Sequence, residues 1–302
     1  MTGRLLIFGL GYSGRAIAAA ARLAGFGVRG TSRHPADDEV PFNQAEAAIA
    51  AATHIVTTIA PDADGDPVLA RYARAIRAAP DLRWCGYLSS TVVYGNRDGG
   101  WVDEDTPPAP TQNRGTRRVE AERGWRGLPL PDPAAPGRDQ QAASRMPIRI
   151  DIFRLAGIYG PGRSAFDDLL AGRARRMVKP GHQFGRIHRD DIARAVVTAM
   201  TQDRPPGPRI LNLADDHPSE NAAVVAEAAA LLGIAPPPEI AFADALPAMS
   251  PMARSFWEEN RKVASRKTQD SLGLRWLYPS YREGLRAILA EERASCASGQ
   301  GG

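Results

Sequence analysis

A strand, a turn and a helix are written in Leu5-Leu6-Ile7-Phe8-Gly9-Leu10-Gly11-Tyr12-Ser13-Gly14. The apolar run predicts a buried strand, and the glycine spacing after it predicts a dinucleotide-binding turn. Gly9 lets the chain turn sharply, Gly11 lets backbone amides approach a pyrophosphate, and Gly14 lets the next helix pack closely on the sheet. That helix is expected over 13–24. Its first amides, around Tyr12 and Ser13, and its dipole would face the negative charge of the cofactor.

The second strand is expected in Val28-Arg29-Gly30-Thr31-Ser32-Arg33. Its end is where such domains discriminate between cofactors, because a carboxylate there binds a free ribose 2′-hydroxyl and repels a 2′-phosphate. Ser32 and Arg33 offer a hydroxyl and a guanidinium instead, which predicts a preference for NADP(H). NAD(H) stays open as the alternative, with Asp37 or Asp38 holding the ribose and Arg33 merely solvated.

At 302 residues, 43% hydrophobic and 24% charged, the chain has the composition of a globular α/β domain carrying a smaller lobe. No apolar stretch reaches the length of a membrane span, and no secretory signal precedes the first strand, so a cytoplasmic location is expected. Cys85 and Cys296 support neither a disulfide framework nor a metal site. The formal charge of +4 is spread along the chain without aromatic interleaving, which argues against nucleic-acid binding. Arg71, Arg74 and Arg77 recur at helical spacing and are expected on a solvated face.

Strand and helix patterns then alternate. A helix is expected over 44–52, a buried strand at 55–59 ending in Ala60-Pro61, a helix over 68–79, and a strand from Trp84 that ends in Ser89-Ser90. Ligands bind outside the C-terminal strand ends of such sheets, so Gly9, Ala60 and Ser90 should line one edge. A loop is expected between Trp125 and Met146, strands at 148–153 and 210–213, and helices at 191–200 and 219–232.

With the glycine turn, Ser90-Thr91-Val92-Val93-Tyr94-Gly95, Tyr159-Gly160-Pro161-Gly162 and Ile187 to Ala193 in this order, the chain resembles the extended short-chain dehydrogenase/reductases, the NAD(P)-dependent epimerase/dehydratase group. The resemblance runs to about residue 290. It implies a Rossmann fold and assigns Ser90, four positions before Tyr94, to orienting a substrate hydroxyl or carbonyl. It also implies a tyrosine and, four residues later, a lysine in the helix after Pro107 to Pro110. Arg114 and Arg118 stand there, and the first lysine of the chain is Lys179.

An arginine does not surrender its proton near neutral pH, so Arg114 cannot replace a catalytic tyrosine, whereas Arg118 could still bond the nicotinamide ribose. Two further departures bear on the substrate. Sugar-nucleotide dehydratases carry Asp-Glu after the serine, where Thr91-Val92 stand. Phe184 occupies the position of an epimerase arginine that grips a nucleotide diphosphate, although Arg163, Arg173, Arg175, Arg176 and Lys179 could form a basic wall. Tyr94, Tyr159 and His188 are the remaining titratable groups in motif positions. His188 is expected to be structural, with Asp191 capping the helix after it.

The expectation is therefore a doubly wound parallel sheet of Rossmann type with a small C-terminal α/β substrate lobe. The NADP-binding domain would take 1–155 with 186–213 returning to it, the smaller lobe 156–185 and 214–293, and a disordered tail 294–302. The cofactor-binding set is Gly9, Gly11, Tyr12, Ser13, Gly14, Ser32, Arg33, Ala60 and Ser89; the catalytic set is Ser90 and Arg118; no metal is expected. The function expected is an atypical NADP(H)-dependent oxidoreductase or epimerase acting on a polar small molecule, with a sugar-nucleotide-like compound as one candidate. An NADP(H)-binding sensor without turnover is the alternative.

Overall fold

The computed structural model describes residues 3–33, 35–36, 39–128 and 148–299. The glycine turn sits where its sequence places it: β1 (Arg4–Phe8) runs into the turn, and α1 (Tyr12–Leu23) leaves it. There follow β2 (Gly27–Ser32), β3 (Val40–Pro41), α2 (Glu46–Ala51), β4 (His54–Thr57), α3 (Pro67–Ala78), β5 (Trp84–Ser90) and α4 (Asn113–Arg126). With the strands Arg149–Leu155 and Gly207–Leu213 these build a seven-stranded sheet. Its order is Gly207–Leu213, Arg149–Leu155, β5, β4, β1, β2, β3, so the chain starts in the middle and winds outward in both directions. Neighbours from β5 to β3 pair in parallel, with Phe8 level with Thr31 on one side and Thr57 on the other. This is the α/β Rossmann-type fold expected.

The apolar runs are buried on both faces, as a parallel sheet covered by helices requires. One core cluster joins Leu6, Phe8, Ile55 and Cys85 of the strands to Val68, Tyr72 and Ile76 of α3 and Trp125 of α4. Helix α3 begins where Asp66 accepts the amides of Val68 and Leu69 and Pro67 fills the first helical position. The second carboxylate oxygen of Asp66 takes the indole N–H of Trp125 at 2.9 Å, so one buried acid fixes two helices. Arg71 and Arg74 lie on the exposed face of α3, as the stripe predicts, whereas Arg77, the third member, is half-buried.

The chain divides into two compact units, one of 1–93, 113–154 and 192–211, the other of 94–112, 155–191 and 212–302. Residues 94–112, expected in the nucleotide-binding part, group with the second unit. There Trp101–Val102 pairs in parallel with Lys262–Val263, a strand distant in sequence. The core of the second unit joins Tyr159 and Phe166 to Val224 and Ala228 and to Tyr281, Leu285 and Ile288 of the last helix.

That helix spans Tyr281–Gly299, so 294–299 are helical where their small, polar composition predicts a disordered tail. Nothing between Ala294 and Ser298 breaks a helix, and Gly299 stands at its end. The expected loop after Trp125 is corrected at its start: α4 continues to Arg126, and Trp125 and Leu128 are buried. Residues 129–147 of that loop lie outside the described residues. Among the described residues no helix is long and apolar enough to cross a membrane.

Candidate functional site

The glycine turn is lashed to strands on both sides. The amides of Gly9 and Leu10 donate to the carbonyl of Thr31 at 3.2 and 3.0 Å, while the Thr58 hydroxyl donates to the Gly9 carbonyl at 2.7 Å. Gly9 has φ +92°, and a Cβ there would lie 2.7 Å from the Thr58 hydroxyl. A Cβ on Gly14 would stand 2.2 Å from the Gly9 carbonyl oxygen, so α1 can start this close to the turn only with glycine. At Gly11, in contrast, a Cβ would meet nothing within 4 Å.

Gly11 therefore needs no glycine for the protein's own packing. The open space at its α-carbon is what a pyrophosphate approaching the backbone requires. Gly11 is also the N-terminal cap of α1, which receives no side-chain cap and carries no acid in its first turn. A helix start left uncapped in this way presents its amides and dipole to an anion. The residues present thus fit a dinucleotide.

Gly9 and Ala60 follow the C-terminal ends of β1 and β4 and Ser90 ends β5, adjacent parallel strands, so the three share one edge of the sheet. Ala60 and Arg33 are exposed, Ser32 and Ser90 half-buried. The Ser90 oxygen accepts the amide of Val92 at 3.3 Å, which leaves the hydroxyl proton for another acceptor. Asp37 and Asp38, the alternative ribose-binding acids, lie outside the described residues.

Ser89 turns the other way. The residue is buried, and its hydroxyl donates to Glu122 at 2.7 Å. Glu122 in turn receives Arg154 through two contacts, Nε at 3.1 Å and Nη2 at 2.7 Å, with both side chains buried. This two-pronged ion pair joins α4, β5 and the strand Arg149–Leu155 under the sheet edge. The sequence carried two signals for it: Arg154 interrupts an apolar strand, and Glu122 stands four residues beyond Arg118 on the same helix face.

Arg114 and Arg118 both fall within α4. Nη1 of Arg118 donates to the Leu88 carbonyl at 2.6 Å and to the Tyr87 hydroxyl at 3.2 Å, with the guanidinium over the Tyr87 ring. Arg118 is thus anchored against Tyr87 and Leu88 near the C-terminal end of β5, one strand position from Ser89. Burial pushes the Tyr87 phenol well above its ordinary pKa, and the Arg118 charge offsets that only partly, so Tyr87 stays protonated near neutral pH.

The second unit holds the other titratable groups. The Tyr94 hydroxyl lies 2.7 Å from Asn212 Oδ1 and 2.8 Å from the Asp103 carbonyl, and the ring is fully buried. Tyr159 donates to the Ser280 carbonyl at 3.3 Å, and burial raises its pKa. His188 is buried between Tyr159 and Tyr278, and desolvation lowers it to about 4. Its Nδ1 accepts the amide of Asp190, so His188 itself caps the helix Arg189–Thr201.

That corrects the expected cap. Asp191 lies inside the helix, fully buried, and its carboxylate accepts the amides of Leu277 and Tyr278. The expected basic wall is largely tied up locally: Arg173 pairs with Asp168, Arg176 with Glu239, and Lys179 lies over Phe242 and bonds the Trp257 carbonyl.

No protein-family model matches the chain. A structure of a functionally unknown conserved protein from Silicibacter pomeroyi is 39% identical, covers 96% of this chain and 99% of its own, and superposes with a TM-score of 0.80. Protein YeeZ of Escherichia coli K12 is 32% identical over 152 residues, 50% of this chain. That match spans about half of YeeZ, 47% of its length. Human epimerase family protein SDR39U1, solved with NADPH, shares the fold at 18% identity with a TM-score of 0.71, covering 94% of this chain and 98% of its own. NAD-dependent epimerase/dehydratase and short-chain dehydrogenase/reductase proteins stand among the other fold neighbours.

Proposed function

The chain belongs to one family with the Silicibacter pomeroyi protein and carries the fold of the short-chain dehydrogenase/reductase superfamily; from that premise we propose that it binds NADP(H) at the glycine turn. The observation that carries this is the uncapped start of α1 at Gly11, with open space at its α-carbon and Gly9 pinned between β2 and β4. Gly9, Gly11, Tyr12, Ser13 and Gly14 would hold the pyrophosphate through backbone amides. Ser32 and Arg33 would meet the 2′-phosphate, and Ala60 and the backbone of Ser89 would border the dinucleotide. When bound, the cofactor supplies or accepts a hydride.

The reaction we propose is an oxidation, reduction or epimerisation of a polar small molecule. Ser90 would donate its free hydroxyl proton to a substrate oxygen, and Arg118 would keep a fixed positive charge beside the end of β5. The alternative is an NADP(H) sensor without turnover. What favours it is that Arg118 cannot transfer a proton, while the hydroxyls of Tyr94 and Tyr159 and the His188 ring are buried in structural contacts.

Calorimetric titration with NADPH and NADH tests the reading. NADPH should bind more tightly, and Arg33→Ala should weaken NADPH by about tenfold while leaving NADH unchanged, as the loss of one charge-assisted contact implies. Binding of NADH alone, or of neither cofactor, would overturn it.

A further inference from the structure

The loop that leaves β2 holds an ion pair for which the turn and the strand end give no reason. Glu39 immediately precedes β3, and its side chain is only 5% exposed. Its amide donates to the Ala36 carbonyl at 2.9 Å, and its Oε2 accepts the Ala36 amide at 3.4 Å. From α1, Arg15 brings Nη2 to Glu39 Oε1 at 3.4 Å while 69% of its own side chain stays exposed. A buried carboxylate thus holds an exposed guanidinium.

The position of that guanidinium is informative. Arg15 directly follows Gly14, and the turn is bonded to Thr31, two residues before the exposed Arg33. Arg15 therefore stands in the first turn of α1 and Arg33 just past β2, and the Arg15–Glu39 contact ties α1 to the loop that leaves β2. A ribose seated at the end of β2 would lie on the side of the sheet edge that both arginines flank.

We propose that Arg15 is a second cation for the 2′-phosphate, positioned by Glu39, and that Arg15 and Arg33 together set the preference for NADP(H) over NAD(H). This rests on the NADP(H) reading of the turn. A carboxylate at this end of the sheet would normally repel a 2′-phosphate. Here the acid is neutralised by Arg15, whose planar fork has several N–H donors and spends one group on Glu39. The remaining donors are free to bond phosphate oxygens, and with Arg33 they set two positive charges against a dianion. Removing Arg15 both deletes a donor and exposes the phosphate to Glu39.

The test compares the wild-type protein, Arg15→Ala, Arg15→Lys and the double variant Arg15→Ala/Glu39→Gln. Each is titrated calorimetrically with NADPH and NADH, and with 2′,5′-ADP and 5′-AMP as probes of the 2′-phosphate alone. Alanine at an exposed helix position preserves α1, which circular dichroism checks.

Arg15→Ala should weaken NADPH and 2′,5′-ADP by about tenfold and change NADH and 5′-AMP by no more than about twofold. Arg15→Lys should recover part of the loss. The double variant should bind NADPH more tightly than Arg15→Ala, because Glu39→Gln removes the uncompensated charge. An equal loss for both cofactors, or no loss, would overturn the proposal while leaving the NADP(H) reading standing. Failure of the wild-type protein to bind NADPH would instead remove the reading on which the proposal rests.

Discussion

Replacing Glu122 with glutamine should unfold the first unit at much lower denaturant concentration. The Glu122 and Arg154 side chains are 3% and 1% exposed and meet through two contacts, with Ser89 as a third partner. Glutamine keeps one acceptor oxygen but turns the other position into an N–H₂ group facing Arg154 Nη2. A buried guanidinium then loses its counter-charge and gains a clashing donor. Breaking one partner of a fully buried pair costs about 3–5 kcal/mol, a large share of the ~5–15 kcal/mol by which a domain is stable. Urea unfolding followed by tryptophan fluorescence reads this directly, since Trp125 is buried against Tyr87 in the same unit. The double variant Glu122→Met/Arg154→Met removes both charges together and should recover most of the loss, because such a swap is often neutral or stabilising. A loss below about 1 kcal/mol for Glu122→Gln would refute the reasoning, since that is the scale of a solvated surface pair.

Gly14→Ala puts a Cβ 2.2 Å from the Gly9 carbonyl oxygen, a backbone atom that cannot step aside. NADPH binding should be lost in calorimetry, and the melting temperature should fall; an unchanged affinity would show that the turn is not the binding element. Asp215 is buried, and desolvation lifts its pKa to about 8 against the nearby Arg186 charge and the backbone amides of His217 and Arg186. Because its folded pKa lies above the unfolded value, the folded state binds the extra proton between about pH 4 and 8, so stability should decline as pH rises through that window. Asp215→Asn should flatten the decline in thermal melts at pH 5 and pH 8, and an unaltered slope would discard the assignment. Once a substrate is found, Ser90→Ala should lower kcat by about 100-fold with NADPH affinity unchanged, the scale on which one positioned hydrogen-bond donor acts; full turnover would remove Ser90 from the site.

The strands and helices around the glycine turn were legible because each is specified locally. Glycine at 9, 11 and 14 fixes a turn, β-branched runs fix buried strands, and Asp66-Pro67 fixes a helix start. What stayed hidden depends on partners far away in sequence. Residues 94–112 read as a continuation of the nucleotide-binding part, since nothing in Trp101-Val102 announces its pairing with Lys262-Val263. Asp191 has the composition of a helix cap, yet it serves the amides of Leu277 and Tyr278, and the histidine before it does the capping. Within the candidate site the glycines and Ser90 were visible as spacing. The inward course of Ser89 and the hold of Glu39 on Arg15 were not, because a single chain pattern does not reveal which charged side chains bury their partners.

Arg118 of α4 can do one of the two jobs that a residue pair performs elsewhere in the superfamily the chain resembles. A tyrosine beside a lysine both stabilises charge and moves a proton, whereas a guanidinium does only the first. Nη1 of Arg118, fixed between the Leu88 carbonyl and the Tyr87 hydroxyl, is a preorganised positive charge at the end of β5. The phenol it touches is kept protonated by burial. On the proposed reading, negative charge developing on a substrate oxygen near Ser90 would be stabilised, but the proton that accompanies hydride transfer would come from water or from the substrate itself. Turnover would then lack the steep pH dependence that a titrating tyrosine imposes, and the rate would rise with the acidity of the substrate's own hydroxyl group. On that reading, a carbonyl activated by a neighbouring electron-withdrawing group would be reduced without a protein acid, and a simple secondary alcohol would not be oxidised.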